Sequence, residues 1–374
     1  MKITFAIQKT IHWAHHKKID KYIEIVASNS PRLNSMSKDS QLSIFAALNK
    51  RYAKVAISMV DNMADLDKLV AKKPDLVVLG IKFVYIDKPK SHAAGSRIRT
   101  LGYLKANNIN FMGSEPIARA IGLDKQKAKQ KVMEAGLQSS RYYVSSVNAP
   151  ILMPDDLQFP LFVKPSRMGG SQGIDENSVV YSTVELKSKV KSLHHDFNSD
   201  ALIEEYLPGR EFSVAVTKQS GTNELSAMPI EIIAPADKKG NSFLSKKVKK
   251  ADLEEVLPVK DLELKKAVNA LAINVFKALG ARDYGRIDIR LNAHGTPNFI
   301  EANLMPGLSN HGYLSRCFLL NKHFAYEEMI ASIVELAFKR VATGMLAEAS
   351  SPTILESVLD ETLAAPIADT GLIV

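Results

Sequence analysis

The chain has 374 residues, and its balance of 46% hydrophobic and 24% charged residues is ordinary for a soluble globular protein. That length is enough for two or three domains, each with its own core. A single cysteine, Cys317, excludes a disulfide framework and a cysteine-rich metal site, and it favours a reducing, cytoplasmic location. No segment reaches the ~20 apolar residues of a membrane span, and residues 2–7 predict a first strand rather than a signal peptide.

The net charge of +9 comes from basic residues that are dispersed along the chain. The two densest basic clusters, 125–131 and 246–250, lack the interleaved aromatic residues of a single-strand nucleic-acid binder. We therefore expect small-molecule partners, a phosphate ligand among them, and no nucleic acid or membrane. The acidic tail 342–374 has no Lys or Arg, and its apolar spacing leaves open a packed or fraying terminal helix, a cap on the body, docking on a partner chain and a homodimer contact.

Residues 1–120 alternate strand and helix patterns, which predicts a small parallel sheet in an N-terminal α/β domain. The segment DLVVLG is almost wholly apolar, as expected for a strand that is buried on both faces. The predicted elements are strands 2–7, 54–60 and 75–80 and helices 63–72 and 95–107.

Beyond residue 120 the pattern changes to α+β, and it predicts a central subdomain 121–206, a C-terminal subdomain 207–341 and the acidic tail. The segment 235–258 is polar and lysine-rich, and we expect it to be irregular. The predicted elements are helices 125–134, 183–195, 261–279 and 325–341, and strands 141–146, 159–165, 201–207, 211–217, 225–233, 284–291 and 297–303.

The last two strands form a predicted hairpin that concentrates oxygen ligands. Both strands alternate apolar and polar residues, and the turn 292–295 joins them. Arg286, Asp288 and Arg290 share one face, and Glu301 and Asn303 share a face of the partner strand. Two carboxylates and an amide oxygen form a ligand set that suits Mg²⁺ beside phosphate oxygens. The alternative is a cross-strand salt bridge on a solvated face.

A glycine-rich loop, residues 166–173, follows the predicted strand that ends near Lys164. Glycines allow backbone N–H groups to close over an anion, which is the expected role of the loop residues Gly169, Gly170 and Ser171. The loop is not a Walker A motif, because no Gly-Lys-Ser/Thr opens a helix. By itself this signal is no stronger than that of an ordinary turn.

Two lysines and a strand-to-loop transition complete the phosphate-side features. Lys164 ends a strand and Lys125 opens a helix, so both could converge on one polyphosphate. The segment 204–207 leads to Glu211, and a carboxylate there can accept a hydrogen bond from an adenine amino group or a ribose hydroxyl. The exposed backbone of this segment can contact the remaining edge of the base.

The order of these motifs resembles that of an ATP-grasp ligase, and it is most similar to the D-alanine–D-alanine ligase branch. The resemblance runs from about residue 111 to the helix near residue 340. Each motif is weak alone, but seven in the same order and spacing are specific. The motifs are Asp124-Lys125, Val163-Lys164-Pro165-Ser166, the glycine loop, Glu204-Glu205-Tyr206-Leu207 with Glu211, Gly285-Arg286-Ile287-Asp288, Glu301-Ala302-Asn303 and Pro306-Gly307.

The resemblance implies two antiparallel sheets that hold ATP between them and an acyl-phosphate route to an amide bond. It also implies two Mg²⁺ ions, for which Mn²⁺ is the expected substitute. The implied positions are Lys125, Lys164 and the loop for phosphates, Glu204 with the backbone of Tyr206 and Leu207 for adenine, Glu211 for ribose, and Asp288, Glu301 and Asn303 for metal. Arg286 and the Gly307 N–H would stabilise the acyl phosphate and the tetrahedral intermediate, with Ser171 beside them.

The chain also departs from the family pattern, mainly in its N-terminal third. Residues 8–13 lack the family's glutamate and serine, and residues 80–99 replace its His-Gly-x-x-Gly-Glu-Asp-Gly segment. Gly312 stands where the family has a serine for the acceptor carboxylate, and Lys246 and Lys247 are the nearest candidates for its loop lysine. We therefore predict an amino-acid-like substrate other than D-alanine. The alternative is a catalytically silent nucleotide-binding or scaffold protein.

Three further features have two interpretations each. Arg97 and Arg99 could clamp a substrate carboxylate, although the surface of the predicted helix 95–107 is the simpler interpretation. The segment 246–250 could be a lid over the nucleotide or a plain loop. Cys317 is expected to be a structural thiol, because this chemistry needs no sulfur nucleophile.

Overall fold

A computed structural model describes residues 17–86, 97–147, 149–152, 156–219, 222 and 224–342, with the side chains of 341 and 342 excepted. The predicted strand 2–7 and residues 343–374 of the predicted tail lie outside these ranges. Within them, no helix is long and apolar enough to cross a membrane.

The N-terminal part contains the predicted parallel sheet. Its strands are β1 (Ile19–Ala27), β2 (Tyr52–Met59) and β3 (Leu76–Leu79), in the order β2-β1-β3 and all parallel. Helices α1 (Lys38–Asn49) and α2 (Met63–Ala71) connect the strands. This topology confirms the predicted α/β architecture.

Strand β1 was not expected, because a buried charge interrupts its apolar pattern. Glu24 lies in the middle of this central strand and is fully buried. Lys72 donates to its carboxylate at 2.9 Å and Ser58 at 2.5 Å. Satisfied in this way, the carboxylate tolerates a place in the sheet that sequence patterning assigns to apolar residues.

The predicted helix 95–107 is partly wrong. Residues Arg97–Arg99 form a strand, β5, that pairs antiparallel with β4 (Phe83–Tyr85), and helix α3 begins only at Thr100 and ends at Ala106. Arg97 and Arg99 therefore lie on a strand rather than on a helix surface. Arg97 is buried, and its guanidinium packs over the Phe83 ring at 4.6 Å.

Two antiparallel sheets follow, as expected. The smaller sheet has the order β6-β9-β7-β8. Helix α6 (Thr183–Phe197) packs against it, and its core is formed by side chains such as Val163, Val190 and Ile203. The four strands are β6 (Tyr142–Ser145), β7 (Leu161–Pro165), β8 (Val179–Val180) and β9 (Ala201–Glu205).

The larger sheet has the order β12-β11-β10-β13-β14, and helices α8 (Leu262–Ala278) and α9 (Tyr313–Lys322) contact it. The predicted irregular segment 235–258 contains a short helix, α7 (Lys246–Lys250), and the edge strand β12, so that expectation is wrong in part. The strands are β10 (Glu211–Lys218), β11 (Leu225–Ile233), β12 (Glu255–Pro258), β13 (Tyr284–Leu291) and β14 (Pro297–Asn303).

The N-terminal sheet and the larger sheet share one hydrophobic cluster, which includes Ile25, Ile230 and Ile333. Helix α10 (Tyr326–Ala342) supplies part of this cluster and packs on α1. Its Arg340 forms a buried ion pair with Asp283 and donates to the carbonyl of Phe111 at 2.9 Å. Helices α4 (Pro116–Leu123) and α5 (Lys125–Glu134) pack against β14. These contacts fix the N-terminal sheet beside the metal hairpin predicted from the sequence.

Candidate functional site

A cavity opens between the two antiparallel sheets, and most of its polar lining was predicted. The smaller sheet contributes the ends of β7 and β9, and the larger sheet contributes β10, β13 and β14. The predicted residues that line it are Lys164, Ser171, Glu204, Tyr206, Leu207, Glu211, Asp288 and Glu301. The remaining lining residues, to which the sequence assigned no individual role in the site, are Phe162, Ile174, Glu205, Ile232, Phe243, Leu244, Lys249, Arg290, Ile300 and Tyr313.

On the smaller sheet, Glu204 holds two buried lysines. Lys164 lies 2.5 Å from one carboxylate oxygen and Lys129 lies 2.8 Å from the other, to which Ser140 also donates at 2.9 Å. Burial raises the pKa of Glu204, but Lys129 and Lys164 outweigh that effect and lower the pKa to about 2. Glu204 is thus an anion whose oxygens both face lysines.

Lys129 is the residue of this cluster that the sequence did not reveal. It is fully buried, and burial lowers its pKa against the opposing effect of Glu204. A lysine in a helix is ordinarily read as surface. The signal that could have found it is its spacing, because Lys129 is four residues after Lys125 and so lies on the same face of α5.

The glycine loop and Lys125 lie next to each other. The backbone N–H of Lys125 donates to the Ser166 carbonyl at 3.0 Å, and its ammonium donates to the Met168 carbonyl. Gly170 and Ser171 have φ of +66° and +56°, a left-handed conformation that glycine adopts readily and serine rarely. Side chains added at Gly169 or Gly170 would meet nothing within 4 Å, so the loop faces open space on that side.

An aromatic and charged wall surrounds Tyr206, which lies in the linker after β9. The Phe162 and Tyr206 rings stack at 6.4 Å, and Phe243 meets Phe162 edge-on at 5.6 Å. Arg290 is buried against Tyr206, donates to Glu211 at 3.0 Å and donates to the Ser242 carbonyl at 2.5 Å. Flat apolar surfaces beside a carboxylate suit a base and its ribose.

The predicted metal hairpin has the expected register. Asp288 pairs with Glu301 and Arg286 pairs with Asn303 across β13 and β14, and a bulge follows the first of these pairs. Arg286 donates to both oxygens of Asp288 at 2.9 Å, and Ser213 donates to one of them at 2.7 Å. Burial raises the pKa of Asp288, and Arg286 and Ser213 together outweigh it, so the pKa is lowered.

The donor chemistry of this hairpin fits Mg²⁺. The predicted set consists of two carboxylates and an amide oxygen. It is not a cluster of three His, Cys, Asp or Glu side chains, and the described ranges contain no such cluster. Glu301 is part-exposed, and its nearest cation is Lys125 at 4.0 Å. Asn303 accepts from the Met305 N–H at 3.3 Å through the oxygen that would face a metal, which leaves its second lone pair. Hard oxygen donors with open positions are what Mg²⁺ requires.

Other predicted site residues lie off the cavity lining. They are Lys125, Gly169, Gly170, Lys246, Lys247, Arg286, Asn303 and Gly307. Of the α7 lysines, Lys249 reaches the cavity, and its ammonium lies 5.8 Å from the centre of the Tyr313 ring. Arg286 is 5.4 Å from the same ring, so Tyr313 lies between α7 and the predicted metal hairpin.

Cys317 lies beneath this site and is fully buried, where its thiol donates to the Ser213 carbonyl at 3.5 Å. Burial raises the pKa of this thiol to about 12. A thiol with such a pKa is protonated at neutral pH. This is the structural role expected from the sequence.

Comparison with solved structures identifies the fold as ATP-grasp. The D-alanine–D-alanine ligase from Bacillus anthracis, solved as a complex with ATP, superposes with a TM-score of 0.68 at 20% sequence identity, covering 87% of this chain and 100% of that one. The VanG D-Ala:D-Ser ligase from Enterococcus faecalis superposes with a TM-score of 0.60 at 19% identity, covering 85% and 100%.

Sequence comparison identifies the family. The family model described as the D-ala D-ala ligase C-terminus matches residues 135–335. The D-alanine–D-alanine ligase of Bordetella petrii is 30% identical over 247 residues, 64% of this chain and 72% of that protein. The uncharacterized protein y4sG of Sinorhizobium fredii is 28% identical over 240 residues, 63% and 69% of the two chains. The chain therefore belongs to the D-alanine–D-alanine ligase family and is an ATP-dependent, ADP-forming carbon–nitrogen ligase.

Proposed function

We propose that this chain joins a small carboxylate to an amine through an acyl phosphate, with a carboxylate substrate other than D-alanine. The observation that supports it best is the cavity between the two sheets. There Lys164 comes from one sheet, and Glu211, Asp288 and Glu301 come from the other. In this cavity, which has an aromatic wall, a lysine faces carboxylates. A metal-bound nucleoside triphosphate requires such an arrangement.

The nucleotide would lie with its base against Phe162, Tyr206 and Phe243 and its ribose at Glu211. The Leu207 backbone would contact the edge of the base. Since both oxygens of Glu204 face lysines, its main contribution would be to position Lys164 and Lys129 below the phosphates. The phosphates would be surrounded by Lys125, Gly169, Gly170 and Ser171. Lys249 would approach them from α7.

Asp288, Glu301 and Asn303 would hold Mg²⁺, and two ions are expected. Bound there, the metal would neutralise the charge that builds on the transferring phosphoryl group. Arg286 prepares the site, because its two hydrogen bonds keep Asp288 ionised and fix the orientation of the carboxylate.

The reaction would have two steps. A carboxylate oxygen of the donor attacks the γ-phosphorus, the bond to the bridging oxygen breaks, and ADP leaves with that electron pair. The neutral amine then attacks the acyl carbon to form a tetrahedral intermediate, which expels phosphate and loses the amine proton. Arg286 and the Gly307 N–H would stabilise the oxyanion of that intermediate. A side chain added at Gly307 would meet nothing within 4 Å, so a substrate can approach this backbone.

A substrate other than D-alanine is supported by the part of the chain that departs from the family pattern. Gly80 to Arg99 replaces the family segment after the third strand, and Gly312 replaces its serine. Of the proteins compared above, two are named D-alanine–D-alanine ligases, one is the uncharacterized protein y4sG and one is named a D-Ala:D-Ser ligase. Specificity is set by the residues that contact the substrate, so these departures would change it while ATP use is retained.

The test measures phosphate release from Mg-ATP by the full chain. The panel comprises amino acids, short peptides and small carboxylates, with hydroxylamine present to trap an acyl phosphate as a hydroxamate. Hydroxamate formed with a carboxylate other than D-alanine, and lost in Glu301→Gln, is the expected result. ATP binding without hydroxamate or phosphate across the panel would overturn the ligase proposal in favour of a silent nucleotide-binding protein. Activity restricted to D-alanine would overturn the substrate proposal alone.

A further inference from the structure

A second group of cations lies beside the metal hairpin, on the side of the N-terminal sheet. Lys82 follows the carboxyl end of β3, and its carbonyl accepts from the Thr100 N–H at 3.2 Å. In open parallel sheets, ligands bind in the crevice beyond the carboxyl ends of the strands. Lys82 thus stands where the fold places a ligand.

Arg119 approaches the same place from helix α4. This helix packs on β14, and Gly122, one turn after Arg119, sits against Leu304 and the carbonyl of Ala302. Arg119 is close enough to Tyr284 for its charge to affect that phenol, and close enough to Lys82 for the two cations to repel. Met305, which follows β14, packs against the hydrophobic cluster that includes Ile81, the neighbour of Lys82. Helix α4 and the segment after β3 therefore both border the C-terminal end of β14, where Glu301 lies.

Neither cation has an ion-pair partner in the described part of the chain. Lys82 is exposed and Arg119 is half-buried, and no carboxylate lies within 4.0 Å of either one. Nearby protein atoms still lower both pKa values. Burial and then Arg119 lower the pKa of Lys82, and burial lowers the pKa of Arg119 to about 10. Glu301 is the carboxylate that acts on Lys82, and Glu301 is also the nearest carboxylate to Lys125, at 4.0 Å.

Among the described residues, the charges of Lys82 and Arg119 are therefore positive and without an ion-pair partner. Two like charges close to each other cost free energy unless an anion joins them. The cavity behind Glu301 shows the opposite design, since Lys164, Arg286 and Arg290 there each have a carboxylate within 3.0 Å. An anion supplied by the substrate would balance Lys82 and Arg119.

We propose that Lys82 and Arg119 bind a second anionic group of the acyl donor, so that the donor is a dicarboxylate or an acidic amino acid. This inference rests on the proposed ligase function. The position favours the donor over the amine. Glu301 marks where the donor carboxylate would meet the γ-phosphate, and Lys82 lies within electrostatic range of that residue. A donor bridging the two points would present one carboxylate to the nucleotide and the other to the N-terminal sheet.

The test uses compounds with two carboxylates, called dianions here for those two groups, and their mono-amides, which have the same shape but one negative charge fewer. The pairs are succinate and succinamate, glutarate and glutaramate, and both enantiomers of aspartate and glutamate with asparagine and glutamine. Dissociation constants are measured calorimetrically on the full chain with Mg²⁺ and a non-hydrolysable ATP analogue. We expect at least one dianion to bind about 10-fold to 100-fold more tightly than its mono-amide, the value of one or two charge-assisted hydrogen bonds.

Lys82→Met and Arg119→Met should each abolish that preference while the affinity for the ATP analogue stays unchanged. Lys82→Arg should keep part of it. Lys277→Met is the matched control, because Lys277 is an exposed lysine of α8. Equal binding of every dianion and its mono-amide, or a preference that survives in both Met variants, would overturn the proposal.

Hydroxamate formation with the same compounds separates the two levels of inference. Tight dianion binding without hydroxamate would keep the anion site and refute the ligase proposal. Hydroxamate formed equally from dianions and mono-amides would keep the ligase and refute the anion site.

Discussion

The two cation-rich regions on either side of Glu301 differ in how their charges are balanced. In the nucleotide cavity, Lys164, Arg286 and Arg290 each face a carboxylate, within a frame built by β7, β9, β10 and β13. On the side of the N-terminal sheet, Lys82 and Arg119 face no carboxylate at ion-pair distance among the described residues.

Paired charges hold each other in place before a ligand arrives, whereas unpaired ones gain a partner only when it binds. The charges of the first region are therefore preorganised before a ligand binds. Those of the second would gain a partner only from the proposed anionic substrate.

The largest expected effect comes from a substitution in the nucleotide cavity, the balanced region, where each cation is paired with a carboxylate. Lys129→Met removes a fully buried charge and leaves Glu204 with Lys164 alone, so we expect a loss of about 3–5 kcal/mol in the free energy of unfolding. Urea unfolding followed by circular dichroism measures it. Lys127→Met, an exposed lysine two residues earlier on the same helix, should change little and serves as control. A loss below 1 kcal/mol would show that Lys129 does not stabilise the cluster.

The next effect concerns activity and not stability. Glu301→Gln keeps the shape of a part-exposed side chain but removes a charge from the proposed metal site. We expect the rate of ATP-dependent phosphate release to fall on the order of 10²–10³-fold, with unfolding unchanged. Glu328→Gln on α10, distant in sequence from the hairpin, controls for the substitution. A variant with full activity would remove Glu301 from the metal set.

The sequence predicted the balanced region far better than the unbalanced one. Alternation in 284–291 predicted the strand and the shared face of Arg286, Asp288 and Arg290, because side chains two residues apart lie on the same side of a strand. The bulge after Asp288, where Phe299 and Ile300 are adjacent apolar residues of the partner strand, was not predicted. Lys164 and Glu211 were found because short motifs mark the ends of their strands. These features depend on local pattern, which a single sequence carries.

The features that the sequence did not reveal depend on tertiary contacts. Lys129 is a charged residue that reads as surface, and it is buried because Glu204 and Ser140 from other elements satisfy it. Alternation places Arg290 on the face of Asp288, but its contacts with Glu211 and the Ser242 carbonyl come from other elements. The β4–β5 ribbon joins two three-residue strands, which are too short to show a period. Lys82 and Arg119 lie in different elements, and the packing of α4 on β14 places the helix of Arg119 beside the strand of Glu301.

A pH series sharpens the comparison within the balanced region. The pKa of Glu204 lies at about 2 in the folded chain, since Lys129 and Lys164 outweigh the effect of burial, and near 4.3 when unfolded. A depressed folded pKa adds stability above the unfolded value and loses it as pH falls toward the folded one. The stability difference between wild type and Lys129→Met should therefore hold above about pH 4.5 and shrink toward pH 2. A constant difference throughout that window would contradict the pairing.

The smallest expected effect is the one that most directly separates the two regions. Lys82→Met and Arg119→Met should each change the free energy of unfolding by less than about 0.5 kcal/mol, because no ion pair is broken and a mutual repulsion is relieved. Urea unfolding without ligand, with Lys277→Met alongside, measures this. Destabilisation as large as that of Lys129→Met would mean that these cations support the fold. A near-zero change in stability together with lost dianion binding would show that Lys82 and Arg119 serve substrate recognition. Charges that do not stabilise the fold are then explained by the ligand that they bind.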